Sequence, residues 1–189
     1  MKLVNIIFLF LFITLLNATI HAQSKEIDSL KIVLKKTTND SAKAKLMNTL
    51  CFQLSTIDPV QAQDLGNQAI VLAKKSGYKA GLCLAYNNMG ILYDQRGIGD
   101  SALYFYDKSL VMAREIKNIY LEASALSNIG YINWSQGAYD KALDYTFKAL
   151  AIFDTGKNYS ATAGTIEHIG MIYYDLKDNK NSIKYHHQA

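Results

Sequence analysis

Apolar side chains recur along this chain at helical spacing, in segments separated by short polar breaks. The clearest segment runs from about Leu82 to Arg96, where Tyr86, Met89, Gly90 and Tyr93 fall at i, i+3, i+4 and i+7. Gly97-Ile98-Gly99 ends it, and Asp100 stands where it caps the next helix. That helix spans about Ser101 to Glu115 and turns Ala102, Phe105, Tyr106, Ser109, Leu110 and Ala113 inward.

The same pair of helices returns. Leu126, Ile129 and Gly130 are followed by a turn at Gln136-Gly137 and by Ala142, Tyr145, Ala149 and Leu150. Ile166, Ile169, Gly170 and Tyr173 are followed by a turn near Lys177-Asp178-Asn179 and by Ser182, Ile183 and Tyr185. Gly90, Gly130 and Gly170 are therefore evenly spaced, each in the middle of a predicted helix. A glycine there costs about 1 kcal/mol relative to alanine. Its recurrence predicts that a second helix comes close at that point. Ala102, Ala142 and Ser182 each follow one of these glycines at the same interval and supply a small residue on the facing helix. An earlier, degenerate unit has Leu46, Leu50, Cys51 and Leu54, a turn at Asp58-Pro59 one residue shorter than the others, then Ala62, Ala69 and Leu72. Asp40 or Ser41 is the expected cap at its start. Before it, Ser24 to Lys36 predicts a short amphipathic helix with Ile27, Leu30 and Leu34 on one face. The chain divides as an amphipathic helix and linker over 23–41 and an array over 42–189, with units at about 42–80, 82–117, 122–157 and 162–189.

Residues 1–22 read differently. Lys2 precedes a nearly continuous apolar run from Leu3 to Leu16, and Ala22 stands just before polarity rises at Gln23. This is the layout of a signal peptide cut after about Ala22, which predicts an exported protein, periplasmic or extracellular. An uncleaved anchor is the alternative, but the run falls short of the roughly 20 residues a spanning helix needs.

Composition suits a helical array: half of the 189 residues are hydrophobic and Pro59 is the one proline. The net charge of +4 comes from 20 basic and 16 acidic residues without a basic cluster, which gives no case for nucleic acid. Cys51 and Cys83 fall in helical segments and read as two small buried side chains. The triplets beginning at Asn39, Asn133 and Asn158 match the glycosylation acceptor pattern, which bears on the protein only in a eukaryotic secretory pathway.

Tyr86, Met89, Gly90, Tyr93, Ala102, Tyr106 and Ser109 together resemble the tetratricopeptide repeat, and the later units match it at Leu126, Ile129, Gly130, Ala142 and Ala149, and at Ile166, Ile169, Gly170, Tyr173 and Ser182. Asn133, Thr146 and His186 depart from the aromatics of that pattern. A 40-residue repeat stands here in place of the family's commonest, shorter one. The sequence places the extra length after each second helix, predicting longer helices. The resemblance implies an all-α fold: a right-handed α-solenoid of stacked antiparallel helix pairs whose first helices line a concave groove.

The resemblance also implies a protein or peptide partner in that groove. Its candidate contacts are Asn87, Asn88, Asp94, Asn128, Tyr131, Trp134, His168 and Tyr174. Asn88 and Asn128 offer donors and acceptors for a peptide backbone, and Tyr131, Trp134 and Tyr174 offer aromatic anchors. Ile91, Tyr131 and Met171 are also placed to pack neighbouring first helices together. None of the inner positions is Lys or Arg, so the family's grip on a terminal carboxylate is not implied.

Nothing points to catalysis, a metal or a cofactor. His186 and His187 are adjacent, so on a helix they diverge by roughly 100°, and no nucleophile–base arrangement or phosphate loop recurs. The reading is a non-enzymatic exported scaffold. The sequence stops inside a second helix, which leaves room for self-association through an uncapped last repeat. It also leaves room for a missing C-terminal region carrying a membrane helix. In that alternative the chain is the extracytoplasmic sensor part of a longer bacterial signalling protein with a histidine kinase, cyclase or DNA-binding domain. Glycan binding through the groove aromatics is a third reading.

Overall fold

The computed structural model describes residues 24–189. The predicted signal peptide, residues 1–22, lies outside them. Helix α1 covers 24–36. It is followed by α2 (Asp40–Leu54), α3 (Pro59–Lys75), α4 (Lys79–Gln95), α5 (Gly99–Glu115), α6 (Ile119–Ser135), α7 (Tyr139–Thr155), α8 (Tyr159–Asp175) and α9 (Asn179–His186). No strand occurs among the described residues.

The spacing is more regular than the hydrophobic pattern predicts. From α3 onward the helices begin at a constant interval, at Pro59, Lys79, Gly99, Ile119, Tyr139, Tyr159 and Asn179. Each repeat is therefore two half-repeats, each a 17-residue helix and a three-residue link. The extra length is thus not an insertion after the second helix: Ile119 to Leu121 already form the first turn of α6.

The middle residue of each link has a positive φ: Gly77, Gly97, Lys117, Gly137, Lys157 and Lys177, with φ between 54° and 77°. Each link closes the preceding helix in the same way. The N–H of the residue after the left-handed one donates back to the carbonyl five positions earlier, as Ile98 does to Tyr93 at 2.9 Å and Asn158 to Phe153 at 3.1 Å. This is the Schellman closure, which satisfies carbonyls that a helix end leaves bare. Where the left-handed residue is lysine, the next residue is Asn118, Asn158 or Asp178, whose side chain caps the following helix. Where it is glycine, the next residue is Tyr78, Ile98 or Ala138, which makes no side-chain cap. Ile98, not Asp100, is thus the cap of α5, and Asp100 stands in the first turn, where a carboxylate favours the positive helix end. The cap of α2 is Asn39, one residue before the expected position. The link after α2 lacks a left-handed residue. It runs from Ser55 to Asp58, one residue longer than the others rather than shorter, and Asp58 caps α3 with Pro59 in its first turn.

First helices touch first helices: α2 contacts α4, α4 contacts α6 and α6 contacts α8. Among α2–α9 no contact joins α3 to α5, α5 to α7 or α7 to α9. One edge of the stack is therefore shorter than the other, and α4, α6 and α8 line its concave side. The protein is an all-α solenoid of stacked antiparallel pairs. Ile27 of α1 is buried against Met47, Leu50, Leu54 and Met89 at one end of the stack.

The recurrent glycines do mark close crossings, but the filling atoms are not those expected. Ala102, Ala142 and Ser182 are buried. Yet a methyl group added at Gly90 would meet the ring of Tyr106, 2.5 Å from its Cδ1. One added at Gly170 would lie 2.9 Å from Cε1 of His186. At Gly130 backbone atoms of the facing helix are among the nearest. There an added methyl would lie 2.5 Å from Thr146 Oγ1 and 3.3 Å from both Ala142 O and Thr146 N. The side chain that covers the glycine differs from pair to pair: the rings of Tyr106 and His186 lie over Gly90 and Gly170, and Thr146 lies over Gly130. Cys51 and Cys83 are free and buried, and Cys83 Sγ lies 3.3 Å from the Ser109 hydroxyl. Asn133, in one of the glycosylation triplets, is also buried and donates to Ile129 O at 2.8 Å.

Gly130→Ala is expected to lower stability by about 1–3 kcal/mol through overpacking. Gly164→Ala, in the same kind of helix but with nothing within 4 Å of the added methyl, raises it by about 1 kcal/mol. Urea unfolding of both variants reads the contrast. Lys157→Gly relieves a left-handed lysine with φ 54° and raises stability by about 0.5–1 kcal/mol in the same assay.

Candidate functional site

One position on the concave helices recurs as Asn48, Asn88, Asn128 and His168. Asn48 Nδ2 donates to Gly81 O at 2.9 Å, Asn88 Nδ2 to Asn48 O at 2.9 Å, and Asn128 Nδ2 to Asn87 Oδ1 at 2.9 Å. These amides tie each first helix to its neighbour. The donors of Asn88 and Asn128 are engaged inside the protein, as is the side-chain oxygen of Asn87. The side-chain oxygens of Asn88 and Asn128 take no donor among the described residues. Asn48 went unnoticed in the sequence because its unit is degenerate; counting back one repeat from Asn88 finds it.

His168 takes the fourth rung with a ring in place of an amide. It is 6% exposed, and its Nε2 has no partner among the described residues. Its ring centroid lies 5.5 Å from that of Tyr131 and 5.3 Å from that of Trp134, while Tyr131 and Trp134 lie 5.4 Å apart. Three of the predicted groove residues thus form one aromatic cluster between α6 and α8. Trp134 Nε1 donates to Asp175 Oδ2 at 2.8 Å, fixing the indole across the same two helices. That bond was not legible in the sequence, since its partners lie on different helices, a full repeat apart.

The cluster is open on one side. Tyr131 is 43% exposed and Tyr174 is 61% exposed, the latter with Lys177 Nζ 5.4 Å from its ring centre. Asp94, Trp134 and Tyr174 occupy a second recurrent position and form a row across α4, α6 and α8. Asp94 is half-buried and has no ion pair among the described residues; burial pushes its carboxyl above the usual range. Burial above all, with Asp94 and Tyr131 close by, also raises the Tyr106 phenol. Tyr106 therefore joins the floor under Gly90 to the row above it. Among the described residues no group of three or more His, Cys, Asp or Glu side chains is placed to hold a metal ion, and no helix is long and apolar enough to cross a membrane.

Burial pushes the His168 imidazole down to about 4, from its ordinary value of 6.5. The unfolded chain therefore binds a proton there below about pH 6.5, and the folded chain only below about pH 4. Stability from this group is complete above pH 6.5 and is lost as pH falls toward 4, at no more than about 1.4 kcal/mol per pH unit. His168→Asn restores the residue of the other rungs. Thermal melts from pH 7 to pH 4 will show a smaller loss for this variant than for the parent chain.

No protein-family model matches the chain, and no curated protein matches it. Solved structures do resemble it. A Rap protein complexed with competence and sporulation factor superposes over 90% of this chain and 49% of its own, with TM-score 0.80 and 18% identity. Aspartyl phosphate phosphatase F from Bacillus subtilis covers 88% of this chain and 47% of its own, with TM-score 0.78 and 20% identity. A signal transduction ATPase with numerous domains and a tetratricopeptide repeat sensor, from Pyrococcus horikoshii, covers 89% of this chain and 27% of its own, with TM-score 0.75 and 18% identity. The chain thus spans about half the length of the first two and about a quarter of the third. What it shares with them is the tetratricopeptide-type helical solenoid.

Proposed function

We propose that this chain is an exported, non-enzymatic scaffold that holds a protein or peptide segment in the groove lined by α4, α6 and α8. The observation that carries the reading is the Tyr131–Trp134–His168 cluster. Large aromatic side chains gather on the concave side, are held in place by the Trp134–Asp175 bond, and stay partly open. Rigid aromatics of this kind are the usual energetic centres of protein interfaces. The Rap protein solved with competence and sporulation factor supports the reading by fold. Export rests on the pattern of residues 1–22, and the partner then meets the scaffold in the periplasm or outside the cell.

A second reading has one observation in its favour. The array of the Pyrococcus horikoshii ATPase is a sensor within a longer signalling protein, and this chain matches about a quarter of that length. An extracytoplasmic sensor would use the same groove; the gene beyond codon 189 then encodes a membrane helix of about 20 residues and a signalling domain.

The test is capture from the source organism. The wild-type chain, recovered from the exported fraction with an intact mass that places its first residue near Gln23, retains a partner identified by mass spectrometry. Tyr131→Ala/Trp134→Ala loses that partner at least tenfold while its helical circular dichroism persists. Equal retention by the folded double variant removes the groove as the binding surface.

A further inference from the structure

The charge of the groove runs against the charge of the chain. The protein carries 20 basic and 16 acidic residues. Yet the charged side chains at the inner positions of α4, α6 and α8 are Asp94, Glu167 and Asp175, all acidic. Of the basic groups near the groove, Arg96 bonds Gln63 and lies over Tyr93, whereas Lys177 lies over Tyr174 and so already covers the phenol at the α8 end of the row. A ligand in the groove therefore meets carboxylates and aromatic faces at inner positions that hold no Lys or Arg.

The side chains there are in the state a cation would complement. Asp94 is half-buried and has no ion pair among the described residues, and a cation beside it would favour its charged form. Asp175 uses Oδ2 for Trp134, and its Oδ1 takes no donor among the described residues. The one donor of Trp134 is engaged by Asp175, so the indole offers a ligand only its π-surface. His168, packed against Tyr131 and Trp134, adds a buried Nε2 that no group among the described residues satisfies. Along the Asp94–Trp134–Tyr174 row the phenol already carries the Lys177 ammonium, which leaves the Asp94 carboxylate and the Trp134 indole to a ligand, and aromatic faces attract ammonium and guanidinium groups. The chain makes such contacts on its own surface, with Lys108 Nζ 4.3 Å from the centre of the Tyr104 ring.

Building on the scaffold reading, we propose that the groove selects an extended segment bearing Arg or Lys side chains, with carboxylates at the α4 and α8 ends and Trp134 between them. Neighbouring packed helices lie about 8–10 Å apart, a distance that a segment in the polyproline-II conformation spans in about three residues, one full turn, so that the same face returns to the groove. Basic side chains at every third position therefore keep step with the row.

Trp134 is the one tryptophan of the chain, so its emission reports the site directly. The probes are three peptides of equal length on one Gly/Ala/Leu frame, with Arg, Gln or Glu at every third position. The Arg peptide is expected to shift Trp134 emission and to bind at least tenfold tighter than the Gln peptide, with affinity falling as NaCl is raised. Asp94→Asn and Asp175→Asn each weaken it about threefold to tenfold; in the second variant the introduced amide carbonyl still accepts from Trp134, so the indole stays in place. If the Gln or Glu peptide binds as tightly as the Arg peptide, charge selection is wrong and the scaffold reading stands. If the Arg peptide binds but neither substitution weakens it, the site proposed here is wrong. If none of the three shifts the emission, charge selection falls, and the tyrosine–tryptophan capture test decides the scaffold reading separately.

Discussion

Every junction from α3 onward is closed by one residue in the left-handed region, at positions 77, 97, 117, 137, 157 and 177, and the rest of the array depends on that constraint. A helix that always stops at the same length and restarts after a three-residue link presents the same face to its neighbour each time. Constant phase is what allows a glycine at 90 to be matched at 130 and 170, and an asparagine at 48 to be matched at 88 and 128. It also explains the alternation at the links. A glycine takes the positive φ without strain but is followed here by an apolar residue, whereas lysine pays for the conformation and is followed by a capping Asn or Asp.

With phase fixed, packing between partners varies by one side chain per unit. Tyr106, Thr146 and His186 occupy the same place, each covering the glycine of its pair. The asparagine rungs then join successive first helices through amide donors, while the second helices stay apart. Asn48 is buried and Asn88 and Asn128 are half-buried; their donors find acceptors on the neighbouring first helix, while Asn48 Oδ1 takes no donor among the described residues. The outcome is a curved stack in which the inner edge is cross-linked and the outer edge is not.

The edge changes character at α8. Along α2 and α4 the rungs are amides; at α8 the rung is His168, and the aromatic cluster gathers around it. Substituting a ring for an amide gives up a hydrogen bond and leaves Nε2 without a partner among the described residues, yet it builds a partly open aromatic surface beside the Asp175 carboxylate. The fold makes the groove, and this local exchange gives it chemistry.

Much of this was legible in the sequence, and the reason is local. The helices, their alternation with short breaks, the recurrence of the unit and most buried positions follow from periodicity, because a helix forms from bonds between near neighbours in the chain and its apolar stripe shows directly in the order of residues. Gly97 and Gly137 announced their turns for the same reason; Lys117 and Lys157 did not, since lysine carries no sign of a left-handed backbone. Only the tertiary structure decided which atoms cover Gly90, Gly130 and Gly170, that the donors of Asn88 and Asn128 turn to neighbouring helices, that His168 is buried, and that Trp134 holds Asp175. Those contacts join residues on different helices, half a repeat to a full repeat apart. Their partners are chosen by the angle and distance at which helices cross, and no single helix contains that information.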